Sequence, residues 1–125
     1  MQVLPVISII DDDESMRLAT ESLVKTLGFA AYSFPSAEAF LQSPRMNDSD
    51  CIISDVQMPK MGGLELQQAL KARGSTTPLI FITAFPRESV ERRAMAAGAV
   101  CFLQKPFEVQ ALIRCIERAL DRKSG

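Results

Sequence analysis

Five short, largely apolar runs, separated by segments of helical periodicity, are the feature that most restricts how this chain can fold. The runs cover residues 6–10, 30–34, 51–54, 79–82 and 100–103. Apolar residues recur at helical spacing over 15–27, 36–42, 64–73 and 88–97, and again from Phe107 to about Lys123, while 44–50 is a polar connection. Strands that alternate with helices predict a parallel sheet with helices on both faces. We therefore predict a doubly wound, five-stranded α/β sheet with five helices and the flavodoxin-like strand order 2-1-3-4-5.

The size and composition are those of one globular domain. The chain has 125 residues, of which 47% are hydrophobic and 23% are charged, and a chain of this length can bury about two-thirds of its unfolded surface. We expect a single domain over 1–125 with its core at about 3–122. The apolar start is too short for a membrane span and lacks the features of a signal peptide, so we expect a cytoplasmic protein.

Charge, histidine and cysteine usage exclude several classes of function. The formal net charge is −1, which offers no basic face to nucleic acid. There is no histidine, so Ser-His-Asp and Cys-His nucleophiles and imidazole metal sites are excluded. The cysteines at 51, 101 and 115 are an odd number without a CxxC pair, and we expect all three to be reduced, buried thiols.

Polar residues follow the predicted strands at the points where those strands end. These residues are Asp11, Asp12, Asp55, Thr83 and Lys105. Taken singly, Asp12, Asp13 and Glu14 could cap a helix, and the other residues could be a turn former, a strand former and a surface charge. The carboxyl ends of parallel strands, however, share one edge of the sheet, where ligands bind at the switch in strand order. We therefore expect this set to converge.

The converging acids predict a site for a hard divalent cation. Two carboxylates about 4 Å apart repel each other by roughly 4 kcal/mol at an effective dielectric constant near 20, so Asp11, Asp12 and Asp55 need a cation between them. Oxygen ligands favour Mg²⁺, with Mn²⁺ as a substitute, and Mg²⁺ commonly bridges to phosphate oxygens. The Thr83 hydroxyl and the Lys105 ammonium can then hold a phosphoryl group.

These motifs resemble the receiver domains of two-component response regulators, most closely the FixJ-like group, whose fold is also called CheY-like. The resemblance covers about residues 3–122. It rests on the strand that leads into Asp11 and Asp12, on SDVQMPKMGGLEL around Asp55, on ITA at 82–84, and on AAGAVCFLQKPF, which ends at Phe107.

The resemblance implies a role for each matching residue. Asp55 is the expected phosphoacceptor, and the metal ligands are expected to be Asp11, Asp12, Asp55 and the backbone carbonyl of Gln57. The expected phosphoryl contacts come from Thr83, Lys105 and the backbone of Ala84. Thr83 and Phe102 are the expected switch residues, although Phe102 could also be an ordinary core residue. Lys105-Pro106 matches a position where the family commonly has a cis peptide bond.

The resemblance also implies partners and an output. A sensor histidine kinase would phosphorylate the domain, which would then control an effector domain or partner, with transcription as the output. The fourth helix, fifth strand and fifth helix would form a face for a phosphorylation-dependent homodimer. That face carries three arginines among acids and could equally be a solvated surface; its charged residues are Arg92, Arg93, Arg118, Glu88, Glu91 and Glu117.

Two other classes of function stay open at this point. The main alternative is a Mg²⁺-dependent phosphatase of the haloacid dehalogenase type, with Asp11 as the nucleophile and Asp13 as acid/base, although the chain is small for a cap domain. A third class is an interaction scaffold that is never phosphorylated.

Phe85 is bulkier than the residue of many relatives at this position, and we predict that it shields an acyl phosphate on Asp55 from water.

Overall fold

The structure, a computed structural model, describes residues 3–124, with side chains through Arg122. The predicted domain bounds of 1–125 therefore include residues that lie outside the described part. The strands are β1 (Val6–Ile10), β2 (Ala30–Phe34), β3 (Cys51–Asp55), β4 (Leu79–Thr83) and β5 (Cys101–Gln104). The α-helices are α1 (Glu14–Thr26), α2 (Ala37–Gln42), α3 (Gly63–Ala72), α4 (Glu88–Ala96) and α5 (Val109–Ser124).

The five strands form one parallel sheet in the order β2-β1-β3-β4-β5, which confirms the predicted fold class and topology. Strand order reverses between β1 and β3, so the exits of these two strands are neighbours. Within the described residues, no helix is both long enough and apolar enough to cross a bilayer.

The two faces of the sheet are covered by different helices. Ile53 and Ile82 pack in a core with buried residues of α1 and α5, such as Val24 and Leu112. The second core contains β-strand residues such as Phe81 together with buried residues of α2, α3 and α4, which include Phe40, Leu66 and Ala94. Successive residues of a strand point to opposite faces, so the position of a residue along its strand decides which core lies beneath it.

Several boundaries differ from the predicted ones. Strands β3 and β4 extend by one residue, so Asp55 and Thr83 themselves lie in the sheet and pair with Ile82 and Gln104. The segment predicted to be a polar connection contains a 3-10 helix at Pro44–Asp48, because the Ser43 side chain accepts a bond from Arg45 N and Pro44 starts the helical turn. Helix α5 begins at Val109, two residues later than predicted.

The expectation that all three cysteines are reduced is wrong for two of them. Cys101 on β5 and Cys115 on α5 form a disulfide, with Cα atoms 5.9 Å apart, whereas Cys51 is a buried free thiol. Both bonded residues belong to the core between the sheet and α5. Residue counting could not pair them, because their proximity depends on which face of β5 packs against α5.

Candidate functional site

Three carboxylates meet at the carboxyl edge of the sheet, as the strand ends predicted. Ligand oxygens of Asp11, Asp12 and Asp55 all lie within 4.8 Å of one another. Asp11 and Asp55 are 1% and 7% exposed, whereas Asp12 is exposed to solvent. The cluster therefore has a buried floor formed by the ends of β1 and β3, and an open side at Asp12.

Backbone amides hold the two buried carboxylates in position. Asp11 Oδ1 accepts a hydrogen bond from Asp13 N at 2.9 Å, and Asp55 Oδ1 accepts one from Gln57 N at 3.1 Å. In each residue one oxygen is occupied by the local turn while Oδ2 faces the rest of the site. The bond from Gln57 also keeps the backbone of this residue beside Asp55, where its carbonyl was predicted to bind metal.

Lys105 bridges the two buried carboxylates. Its Nζ atom lies 3.0 Å from Asp11 Oδ2 and 3.0 Å from Asp55 Oδ2, and the lysine side chain is only 10% exposed. The backbone of Lys105 is fixed as well, because its N–H donates to Thr83 O at 2.7 Å and its bond to Pro106 is cis. The ammonium is thus an integral part of the site.

Burial and pairing shift the pKa values of this group in identifiable ways. Burial raises the pKa of Asp55, and the hydrogen bonds from Lys105 and Gln57 N offset this only in part. Burial alone would lower the pKa of Lys105, but its hydrogen bonds to Asp11 and Asp55 outweigh that effect and raise it. A negative charge on Asp55 is therefore costly unless cations surround it.

The donor set fits a hard divalent cation. Three carboxylates and one ammonium leave two net negative charges, which one divalent ion would neutralise. All of the side-chain donors are oxygens, as Mg²⁺ and Mn²⁺ prefer. The open side at Asp12 gives such an ion a route from solvent, and it leaves room for the waters that Mg²⁺ retains.

Thr83 lies at the neighbouring strand exit and is completely buried. Its Oγ1 accepts a hydrogen bond from Phe85 N at 3.1 Å, so the hydroxyl proton is not used in that bond. Ala84, whose backbone was predicted to contact the phosphoryl group, is exposed directly after Thr83. Phe85 is also exposed, with a relative solvent exposure of 71% for the residue.

Phe102, the predicted partner of Thr83, lies one strand away on β5. It is half-buried, pairs in register with Phe81, and has its ring centroid 6.3 Å from that of Phe81. Thr83 is two residues beyond Phe81 on the same strand, and so faces the same side of the sheet as Phe102. The side chain of Phe102 therefore lies between this core and the surface.

Two supporting residues were not identified from the sequence. Arg17, on α1, donates from Nη1 to Asp11 O at 2.9 Å and so ties the helix to the end of β1. Gly63 begins α3 where an added Cβ would lie 2.7 Å from Asp55 O and 2.7 Å from Phe81 Cε1. The Gly62-Gly63 pair was visible as a turn signal, but this close approach depends on the packing of α3 against β3 and β4.

Comparisons with known proteins agree with this geometry. The family model for the response regulator receiver domain matches residues 7–117. The response regulator protein TodT of Pseudomonas putida is 40% identical over 115 residues, which cover 92% of this chain and 51% of TodT. The transcriptional regulatory protein FixJ of Bradyrhizobium diazoefficiens is 39% identical over 114 residues, which cover 91% of this chain and 56% of FixJ. This chain spans about half the length of these curated relatives.

The solved structures show the same relationship. The crystal structure of FixJ-N matches with a TM-score of 0.85 and 36% identity, and the match covers 97% of this chain and 96% of that chain. The family model matches most of the chain, the relatives are near 40% identical, and the fold is shared. These findings support one family assignment. The chain belongs to the response regulator receiver domains of two-component systems, within the FixJ-like group.

Proposed function

We propose that this receiver domain accepts a phosphoryl group on Asp55 from a sensor histidine kinase, in a reaction that depends on Mg²⁺. One observation carries the proposal: Lys105 Nζ lies 3.0 Å from both Asp11 and Asp55, inside a cluster of three carboxylates. Acids that merely cap a helix would not enclose a buried ammonium. The arrangement supports one oxygen nucleophile surrounded by groups that stabilise phosphoryl charge.

The protein contributes little covalent chemistry to the phosphoryl transfer, because positioning and charge stabilisation account for most of the increase in its rate. An oxygen of Asp55 bonds to phosphorus while the bond between phosphorus and the donor imidazole nitrogen breaks. The imidazole leaves with the bonding electrons and takes up a proton. Since this chain has no histidine, the phosphohistidine belongs to the kinase. The domain catalyses only its own phosphorylation and dephosphorylation.

The residues that would hold Mg²⁺, or Mn²⁺ in its place, are Asp11, Asp12, Asp55 and the backbone carbonyl of Gln57. When bound, the ion would neutralise negative charge on the phosphoryl oxygens. Lys105 provides a second positive charge from the protein itself, and it can exchange its bond with the Asp55 carboxylate for one with the phosphoryl group. Thr83 and the backbone N–H of Ala84 donate to the same group.

Phosphorylation would then favour a second arrangement of the domain. Thr83 moves toward the phosphoryl group, and Phe102 fills the space that it leaves, which is a local change with two packed states. To shift the active form from about 1% to about 99%, the phosphoryl contacts must favour it by about 5.5 kcal/mol. A few charge-assisted hydrogen bonds, at about 1.5–3 kcal/mol each, are sufficient.

The proposed output is control of an effector domain or partner, with regulation of transcription as the result. FixJ is a transcriptional regulatory protein by name, and it shares this domain. We place the protein in the cytoplasm, where sensor kinases present their phosphohistidine. The face formed by α4, β5 and α5 would form the phosphorylation-dependent homodimer, and this domain would not itself contact nucleic acid.

Labelling with a small phosphodonor tests the proposal. Acetyl phosphate and Mg²⁺ should add one acid-labile phosphoryl group to the protein, detected by intact mass. Asp55→Asn should abolish the adduct, whereas Asp48→Asn, which changes an exposed acid of the 3-10 helix, should leave it unchanged. Full labelling of Asp55→Asn would refute the assignment of the acceptor.

The phosphatase alternative makes a different prediction. It requires Asp11 as the nucleophile and Asp13 as acid/base, but Asp13 accepts a bond from Met16 N as the cap of α1, and the family assignment gives the alternative no support. Under our proposal, Asp11→Asn still forms the adduct with excess donor. Sustained turnover of phosphoesters that depends on Asp11 would favour the phosphatase, and a protein that accepts no phosphoryl group at all would favour a scaffold.

A further inference from the structure

The disulfide between Cys101 and Cys115 lies outside the phosphoryl site, and the chemistry proposed above does not use it. Cys101 opens β5 and Cys115 lies in the middle of α5, 14 residues later in the sequence. Both residues are nearly buried in the core between the sheet and α5, at 7% and 5% exposure. The bond therefore ties the last strand of the sheet to the last helix.

A surface cavity lies beside the two cysteines. The cavity has a volume of about 290 Å³, and Cys101 and Cys115 line it together with Phe102 and two arginines, Arg114 and Arg118. An oxidant of a few atoms is small enough to enter such a space. Cys51 differs in this respect, because it is fully buried in the centre of the sheet.

The two sulfurs are not electrostatically equivalent. Arg118 Nη1 lies 3.7 Å from Cys101 Sγ, in a position to donate a hydrogen bond to it. A guanidinium beside a cysteine favours the thiolate, which is the reactive form of the side chain. Cys115 accepts no such bond from the described side chains, so Cys101 is expected to be the better nucleophile of the pair.

We propose that Cys101 and Cys115 are a peroxide-oxidisable dithiol, in which Cys101 attacks the oxidant with the help of Arg118 and Cys115 closes the disulfide. The Cys101 thiolate attacks one oxygen of a hydroperoxide, the O–O bond breaks, and Cys101 becomes a sulfenic acid as water or an alcohol leaves. The Cys115 thiol then attacks that sulfur and releases water. The two thiols lose two electrons, which the peroxide accepts, and a dithiol reductant reverses the reaction by exchange.

The location gives the bond a consequence for signalling. Cys101 is directly followed by Phe102 on β5, and Cys115 lies on α5, so the oxidised pair links two elements of the face proposed for dimerisation. A covalent link restricts any relative movement of β5 and α5. The domain would then respond to the oxidation state of its surroundings at a site separate from Asp55.

Titration of the fully reduced protein with hydrogen peroxide tests the proposal. One equivalent should convert two of the three thiols into an intramolecular disulfide that peptide mass mapping assigns to Cys101 and Cys115. Cys51→Ser should behave as the wild type does. A bond that includes Cys51, or only intermolecular bonds, would overturn the proposal.

Single variants test the order of the two steps. In Cys115→Ser the sulfenic acid should persist on Cys101 and be trapped by dimedone, whereas Cys101→Ser should give little adduct on Cys115. Arg118→Met should slow oxidation by up to about tenfold, because fewer Cys101 side chains are ionised, while Arg118→Lys should retain most of the rate. Equal trapping on both cysteines, or no effect of Arg118→Met, would refute the assigned roles. Circular dichroism melts confirm that each variant is folded.

These outcomes can be separated from those of the phosphoryl proposal. Asp55→Asn removes the proposed acceptor but touches neither cysteine, so its thiols should be oxidised at the wild-type rate. Cys101→Ser removes the dithiol but leaves the acids and Lys105 unchanged, so acetyl phosphate should still label it. A loss of thiol oxidation in Asp55→Asn would contradict the independence of the two sites.

Discussion

The two faces of the sheet contribute different groups to the site. The first face is the one covered by α1 and α5, and the second face is the one covered by α2, α3 and α4. Asp55 pairs in register with Ile82, whose side chain belongs to the core under α1 and α5. Its Oδ2 atom forms an ion pair with Lys105 at 3.0 Å. Thr83 is one residue further along β4 and so points to the opposite face, toward Phe81 and Phe102.

Under the proposed function, one face would carry out phosphoryl transfer and the other would respond to it. On the first face Lys105 already contacts Asp11 and Asp55, so the proposed transfer would need little reorganisation of these groups. On the second face Thr83 has a hydroxyl proton to donate, and the half-buried Phe102 ring lies next to a cavity. In the proposed function, a phosphoryl group on Asp55 would contact Lys105 on the first face and Thr83 on the second, and would so link the two faces.

The largest predicted effect is at Lys105, on the first face. Lys105→Met should lower the rate of phosphorylation by acetyl phosphate by about 100- to 1,000-fold, because one preorganised positive group is lost from the transition state. The rate is measured by intact mass with Mg²⁺ in excess. Lys71→Met, an exposed change on α3, is the control and should keep the wild-type rate. If the phosphorylation rate of Lys105→Met stays within about threefold of the wild-type rate, the first face does not supply the main stabilisation of the transition state.

Thr83 tests the second face. Thr83→Ala should still be phosphorylated, but it loses a hydrogen bond to the phosphoryl group worth about 1.5–3 kcal/mol, which reduces the population ratio of active to inactive forms by roughly ten- to a hundredfold. The measurement is the shift of the Phe102 ring resonances on addition of beryllium fluoride, a phosphoryl mimic. Thr83→Ser keeps the hydroxyl and should retain the shift. An unaltered shift in Thr83→Ala would show that the rearrangement of Phe102 does not depend on the Thr83 hydroxyl.

Gly63 lies where α3 packs closely against the backbone of Asp55 and the ring of Phe81 on the second face. An alanine Cβ there would lie 2.7 Å from Asp55 O and 2.7 Å from Phe81 Cε1, so Gly63→Ala should lower the free energy of unfolding by about 1–3 kcal/mol. Chemical denaturation measures this change. Gln68→Ala, on the exposed side of α3, should stay within about 0.5 kcal/mol of wild type. Equal stability of Gly63→Ala and Gln68→Ala would mean that α3 can shift away from the sheet freely.

The fold and the first face were predictable from the sequence because both depend on local pattern. Apolar runs and helical periodicity gave the alternation of elements, and alternation gave the sheet. The acids and Lys105 could be identified because each follows a strand, and all parallel strands end at one edge. Their convergence needed only the strand order, whereas the ion pairs of Lys105 with Asp11 and Asp55 were not predicted, because β5 is two strands away from β3.

The remaining features depend on packing that no local pattern contains. The disulfide requires Cys101 to face α5 at the level of Cys115, and the alternation of side chains along β5 would have indicated this only once α5 was assigned to that face. The approach of Gly63 to Phe81 depends on the distance between α3 and the sheet. The 3-10 helix at Pro44–Asp48 depends on a cap that also fits a simple turn.

The smallest predicted effect concerns Phe85, an exposed residue two positions after Thr83 at the end of β4. Its N–H donates to Thr83 Oγ1 at 3.1 Å, while the residue as a whole is 71% exposed. The backbone bond fixes Phe85 next to Thr83, and we predict that a large apolar side chain at this position restricts the approach of water to an acyl phosphate on Asp55. Phe85→Ala should therefore lose its phosphoryl group faster, by up to about tenfold, or 1.4 kcal/mol in activation free energy. Decay is followed by intact mass after removal of the donor. Leu18→Ala, a change at an exposed apolar residue of α1, is the control; equal decay of Phe85→Ala and wild type, or equal acceleration in both variants, would assign the ring no shielding role.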